Sequence, residues 1–280
     1  GITFSTTQGT ESMFMKPELQ NSFGQGMNNI YDREAEESWG PKIEGQSVTN
    51  WNGETVNMRA HDNVSNFLRS GTTRSYNLSF QQQFGNTSVY SSLGRWEDAS
   101  IIPNNKLHRT NFSTRATTRF GKDNRWTTDM KISYNNTSGF NRPINGRDVS
   151  NVFTLFTMPR TMNISEFSSG VDQFGNMLWY VGAPSWQNSP YWNAKYNLNE
   201  DTRERFMMTG SVKYAFNSWL DAEIRSGGDI YTTNTQRKVW AGSKRANEYS
   251  EGKQTFREFN HMALLSARKN DLFGKIGGSA

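Results

Sequence analysis

Residues 125 to 134 alternate so regularly that they fix a conformation: Trp126, Thr128, Met130, Ile132 and Tyr134 fall on one side, and Arg125, Thr127, Asp129, Lys131 and Ser133 on the other. Successive side chains of a β-strand point to opposite faces, so this segment reads as a strand with one face in an apolar medium and one in water. The pattern recurs on both sides of Asn217-Ser218. Phe206, Met208, Val212, Tyr214 and Phe216 oppose Arg205, Thr209, Ser211 and Lys213, and then Leu220, Ala222, Ile224 and Ile230 oppose Asp221, Glu223, Arg225 and Asp229. Further strands are expected at 2–14, 76–84, 87–97, 107–120 and 254–268, with a last run toward Ala280. The alternation in some of these is only partial, and His261 falls on the side that carries Phe259, Ala263 and Leu265.

The breaks between strands form a second pattern. Tight, turn-like breaks at Gly85-Asn86, Gly121 to Asn124, Asn217-Ser218 and Lys269 to Asp271 alternate with four longer polar connections. Strands joined by short turns on one side and long loops on the other, with alternating residue character, are the signature of an outer-membrane β-barrel. The expected fold is all-β: about nine strands of an antiparallel transmembrane β-barrel with long extracellular loops. An odd number of strands, with the last run stopping at Ala280, is expected for an excised part of such a barrel.

Composition fits that reading. Only 34% of residues are hydrophobic and mean hydropathy is -0.81, which leaves no stretch approaching the ~18 apolar residues of a spanning helix. A barrel strand needs apolar residues only at alternate positions over about 9 to 11 residues. Among the aromatic residues, 13% of the chain, Trp96, Trp126, Trp219 and Tyr231 lie near strand ends, where an interfacial girdle would use them. Net charge is +5, but the cations alternate with acids along strands and accompany no recognition motif, which argues against nucleic-acid binding. There are no cysteines, so disulfides and thiolate metal sites are excluded.

The two largest connections hold the unusual chemistry. Lys16 to Arg69 carries several glycines, the acidic run Asp32 to Glu37 and the phrase Glu37-Ser38-Trp39-Gly40-Pro41; so long a connection is expected to be functional. Ser138 to Asp201 includes an expected short helix, Val149 to Met158, ended by Pro159, and reaches Trp179, Tyr180, Trp186, Tyr191 and Trp192. Those five rings, with nearby Asn and Gln, are the expected ligand contacts: stacking and directional hydrogen bonds suit sugars or peptide side chains. The alternative is that they pack the loops onto each other. His61, His108 and His261 lack the spacing of a metal motif, and the acidic run lacks that of a calcium loop, so neither a metal nor another cofactor is expected, and no enzyme.

Three strings carry a family resemblance: Ser38-Trp39-Gly40-Pro41 with Gly45-Gln46; Asn63-Val64-Ser65-Asn66-Phe67-Leu68-Arg69-Ser70-Gly71 leading into Tyr76-Asn77-Leu78-Ser79-Phe80; and Ile101 through Ser113. In order and in relation to the strands, the chain resembles part of a SusC/RagA-type TonB-linked (TonB-dependent) outer-membrane transporter of the Bacteroidetes kind. The resemblance implies a ~22-stranded barrel whose lumen is plugged and a SusD-like surface lipoprotein over its outer mouth. It also implies a Gram-negative cell outer membrane as location, with outer-membrane lipid around the wall, and TonB-driven import of oligosaccharides or peptides. The plug, the segment that engages TonB and the terminal strands lie outside the resemblance. Two other readings of the residues stand beside it: a soluble β-rich carbohydrate-binding or adhesion module whose strands pack as two sheets, and a passive porin segment without a plug.

Overall fold

A computed structural model describes residues 1–280 apart from Asn145, Asp148, Ala183, Pro184, Trp186, Gly274, Lys275 and Ala280; for 269–273, 276, 277 and 279 it describes the backbone alone. The chain opens with strand β1 (Ile2–Glu11). Two small ladders follow, β2 (Gly26–Met27) with β3 (Ile30–Tyr31) and β4 (Ser47–Thr49) with β5 (Thr55–Asn57), and then helix α1 (Asn63–Phe67). Strands β6 (Gly71–Phe84), β7 (Thr87–Ala99), β8 (Lys106–Phe120) and β9 (Trp126–Phe140) lead to helices α2 (Asn151–Thr157) and α3 (Pro190–Lys195). The chain ends with β10 (Asn197–Ala215), β11 (Leu220–Val239), β12 (Glu248–Phe273) and β13 (Ile276–Ser279).

The nine expected strands form one antiparallel sheet in the order β1-β6-β7-β8-β9-β10-β11-β12-β13. Each is paired with its neighbour along the chain, apart from the excursion between β1 and β6, and β1 and β13 stand at opposite edges. A packing of these strands as two stacked sheets, the soluble alternative, does not occur.

Register turns the alternation of single strands into a continuous surface. Phe4, Leu78, Leu93, Phe112, Tyr134, Phe206 and Ile230 are successive partners across seven strands. Nearer the turns a second row runs Phe120, Trp126, Tyr214, Ala222 and Leu265. Between the rows, Met130 is 60%, Ile132 37% and Met208 40% exposed, so nothing in the described residues covers them. Val239 is the one buried apolar side chain that the described strands possess. A sheet with an uncovered apolar face of this size is a surface that another apolar phase must cover.

The band has an upper limit. One step beyond its first row, the same face carries Arg95, Thr110, Asn136, Glu204 and Thr232 as successive partners. From Trp126 to Tyr134, at about 3.4 Å per residue and a tilt of about 40°, the apolar band rises about 20 Å, close to the height of a barrel's lipid-facing belt. Strands β10 to β12, with 19, 20 and 26 residues, therefore run well past it. The reverse face is wet and charged: Arg205 pairs with Asp229, Lys213 with Asp221 at 2.9 Å, Arg225 with Glu223 at 2.9 Å, and Arg115 with Asp129.

Several expectations are corrected in detail. Trp126 stands on the apolar face, stacked on Phe120 and 4.6 Å from the Tyr214 ring, as a girdle residue would. Trp96 and Tyr231 do not, because register places them opposite Arg109 and Arg205 on the polar face. Tyr231 there stacks on Phe256, with the Arg203 guanidinium 5.0 Å from its ring. His261 does lie on the apolar face, where its Nδ1 meets the Ser226 hydroxyl at 2.9 Å.

Three of the four tight turns lie where expected. Gly85 adopts φ 55°, and at the next turn Asp123 and Asn124 join Gly121 at positive φ, a conformation that Gly and Asn tolerate. The Asn217 side chain accepts from the Trp219 and Leu220 amides at 2.9 and 2.8 Å. The turn expected at Lys269 to Asp271 is strand instead: β12 runs on to Phe273, which partners Ile276. Polar residues there suggested a turn, but the backbone stays extended through a register shift between Lys269 and Phe273. Only two of the four polar connections are long, because β7, β8, β11 and β12 extend to leave 100–105 and 240–247 as short links.

Candidate functional site

The two long connections, 12–70 and 141–196, leave the same end of the sheet and fold against each other. Their helices are short and individually capped. Asp62 accepts from the Ser65 amide at the start of α1, Ser150 from Phe153 at α2, and Ser189 from Trp192 at α3, where Pro190 takes the first position. The expected helix Val149 to Met158 is α2, shorter by its ends. None would persist alone at this length. They persist because Val64 and Phe67 of the first loop pack with Leu155, Met158, Met162, Ile164, Phe167, Trp179 and Tyr180 of the second in one buried cluster. Each such side chain, fully buried, contributes about 1.5–3 kcal/mol.

This cluster decides the role of the aromatic residues. Trp179 and Tyr180 are 8% and 6% exposed and Trp192 is 0%. Phe167 lies among them, 4.9 Å from the Trp51 ring, 4.8 Å from Trp179 and 6.3 Å from Tyr180. The Tyr180 hydroxyl donates to Gln187 Oε1 at 2.6 Å, and burial raises its pKa well above the ordinary phenol value, with Glu36 and Glu37 adding to the effect. Trp192 packs on Tyr196 at 4.6 Å and donates from Nε1 to Asn197 Oδ1. Tyr191 is half-buried, edge-on to Phe67 at 5.0 Å. Trp186 lies outside the described residues. Trp179 and Tyr180 thus pack the loops together, Trp192 is buried against Tyr196 on its own side, and none of the three offers an open ring face. The physical reason is that each loop is too short of apolar residues to fold without the other's.

The polar seam between the loops centres on Arg160, which the sequence reading passed over. Its amide donates to Ser38 Oγ at 2.8 Å, its Nε to Asn21 Oδ1 at 3.1 Å and its Nη2 to the His61 carbonyl at 2.9 Å, while its own carbonyl accepts from the His61 amide at 2.9 Å. Asn63 adds a second crossing, donating to the Met162 carbonyl at 2.8 Å and accepting from the Ile164 amide at 2.9 Å. Arg160 was detectable: a lone cation between Leu155, Met158, Met162 and Ile164 has to be buried with a purpose.

Three clefts open beside this seam. One of about 290 Å³ is lined by Asn50, Arg59, His61, Asn163 and Glu166 among others. A second of about 610 Å³ includes Lys16, Glu18, His61, Asp62 and Arg160. A third, about 370 Å³, combines Trp39, Phe153 and Phe156 with Glu36, Glu37 and Arg160. Burial lowers the pKa of His61, Arg59 and Arg160 lower it further, and Glu166 opposes them. A hydrogen bond from Lys16 holds Asp62 below its usual carboxylate range. Among the described residues, no group of three or more His, Asp or Glu side chains is placed to hold a metal ion.

The string Ser38-Trp39-Gly40-Pro41 shapes the rim of these clefts through its backbone. The Gly40 amide donates to the Gly24 carbonyl at 3.0 Å, the Gly24 amide to Pro41 at 2.9 Å and the Trp39 amide to Gly26 at 2.8 Å. A Cβ on Gly40 would lie 2.1 Å from the Gln25 carbonyl oxygen. Gly40→Ala is therefore expected to destabilise the first loop by at least about 1–3 kcal/mol, the usual penalty of overpacking. Protease cleavage within 20–45 of the full-length protein, unchanged from wild type, would contradict this.

No protein-family model and no curated protein matches the sequence. Solved structures do resemble it. One of the RagAB peptide transporter aligns with TM-score 0.61 and 16% identity, over 76% of this chain and 24% of that one. The RagAB peptide importer in a closed-closed state aligns with TM-score 0.61 at 15% identity, over 95% of this chain and 32% of that one, and in an open-open state with TM-score 0.54 at 18%, over 75% and 23%. The chain thus spans from about a quarter to a third of the length of the proteins it resembles. At these identities the likeness establishes a shared fold: a long-stranded antiparallel wall with its loops gathered at one end.

Proposed function

We propose that these residues form part of the wall and outer rim of a TonB-dependent importer of the SusC/RagA kind, seated in the outer membrane of a Gram-negative bacterium. The observation that carries this is the bounded apolar band: an uncovered hydrocarbon-like face close in height to a barrel's lipid-facing belt, backed by a charged face suited to an aqueous bore. The wall belongs to a closed barrel of ~22 strands, too wide to leave unplugged. Parts of the protein beyond these residues supply the plug and the contact with TonB, and a SusD-like surface lipoprotein covers the loop plate. The cargo is a peptide. The solved structures that share the fold are peptide transporters, and paired charges around the clefts suit a peptide better than a neutral oligosaccharide. The protein carries its cargo and alters no covalent bond.

Two measurements test this reading. Single cysteines replacing Met130, Ile132 and Met208 in the full-length protein, spin-labelled in bilayers, are expected to be reached by oxygen, which partitions into lipid, and to be shielded from a water-soluble nickel chelate. Labels at Thr127, Lys131 and Thr209 are expected to show the reverse. Equal access from water on both faces would remove the membrane wall. Peptide uptake by cells that persists without TonB would remove the energy coupling and favour a passive pore.

A further inference from the structure

We propose that Arg160 is the receptor for a carboxylate of the transported peptide, which enters the cleft of about 610 Å³ beside Lys16, His61 and Asp62. This rests on the import of peptides proposed above and adds the residue that selects among them.

Arg160 is a cationic residue only 7% exposed. A guanidinium keeps its proton inside a protein, so its charge must be met where it sits. Its hydrogen bonds go to neutral acceptors alone, the Asn21 amide oxygen and the His61 carbonyl. Nη1 is buried without an acceptor, and no carboxylate among the described residues lies within ion-pair distance of Arg160. The nearest acid by its electrostatic influence is Asp62. Asp62 is already engaged: it accepts from Lys16 Nζ and from the Ser65 amide. The other basic residues of the clefts are not enclosed in this way: Arg59 is exposed and His61 half-buried, and both line the smaller cavity together with Glu166.

An uncompensated buried cation is costly, and removing water from around it makes an arriving anion bind more strongly than at the surface. A carboxylate matches the guanidinium fork in shape and charge. Arg160 also lines the third cleft, so it stands in the wall between two openings. The same side chain fastens the second loop to Ser38, Asn21 and His61 of the first. Filling the site would therefore bear directly on the seam that joins the loops.

The test uses the full-length transporter with its lipoprotein, in detergent, and three mixed-sequence peptide pools: one whose only carboxylate is the C terminus, one amidated with a single Asp, and one amidated without acidic residues. Wild type is expected to bind at least one of the first two about tenfold or more tightly than the third, the scale of one charge-assisted hydrogen-bonded contact. R160Q is expected to bind all three alike, near the wild-type affinity for the third, and R160K to keep part of the preference. Equal wild-type binding of all three pools overturns the proposal, as it would if a carboxylate elsewhere in the protein already occupied Arg160. Retention of the full preference by R160Q overturns it too. The wild-type comparison requires no variant, so misfolding of R160Q leaves it decisive. Wild type that binds none of the pools overturns the import reading itself, and this proposal with it.

Discussion

Phe167→Ala is expected to remove about 3–5 kcal/mol from the folding of the loop plate, the cost of truncating a fully buried aromatic ring. Phe167 is the contact point at which Trp51 of the first loop meets Trp179 and Tyr180 of the second. The short helices around it depend on that cluster, so local opening, already the weakest mode of a loop-built unit, becomes accessible. Amide exchange in α1 and α2 of the full-length protein should accelerate and cleavage should appear in 141–196, while exchange in β8 to β11 stays as in wild type. A variant with normal loop protection but weaker ligand binding would show instead that these rings contact cargo and do not form a core.

Met130→Arg should lower the stability of the membrane-inserted protein by about 2–4 kcal/mol, whereas Asn136→Arg should cost about 0–1 kcal/mol. Both positions lie on the same face of the same strand. Met130 sits within the apolar band, between the rows of Trp126 and Tyr134, and Asn136 one step beyond it among Thr110 and Glu204. The difference comes from depth alone: an arginine inside the band must be dehydrated or must drag water inward, and one at Asn136 reaches the interface. Urea titration of the full-length protein refolded into lipid vesicles measures both. Equal costs would mean that the uncovered face does not meet hydrocarbon at a defined height.

The loop chemistry was much less legible in the sequence than the wall. Trp179, Tyr180 and Trp192 stood out as a ligand-contact group because aromatic residues beside amides suit binding, yet the same composition suits a small core. What separates the two is whether another segment covers the rings, and that segment lies far away in sequence. Glu166 accepts from the Trp51 indole at 2.7 Å, the Gln25 amide donates to Thr161 Oγ1 at 3.0 Å, and Arg160 reaches Ser38 across 122 positions. No periodicity links such partners. The acidic run Asp32 to Glu37 likewise resolves into a local turn, in which the Asp32 side chain accepts from the Glu34 amide at 2.9 Å.

The strand ends fell between these extremes. Tight turns were visible because Gly85, Gly121 and Asn124 adopt backbone angles that few other residues tolerate. Strand length beyond the apolar band was not, since both faces are polar there and the alternation that reveals a strand disappears. Hence β11 and β12 continue through segments that read as loop, and Tyr231, expected near a strand end as a girdle ring, lies inside β11 opposite Arg205.

By itself the sequence determined the wall: nine strands, their pairing order and the face that sheds water, because a period of two is a local property imposed by backbone geometry. Only the tertiary structure decided that Trp179, Tyr180 and Trp192 are buried and that Arg160 is enclosed without an ion pair among the described residues. Burial and ion pairing depend on which distant segment arrives to cover a side chain, and nothing in the side chain's own neighbourhood along the chain records that.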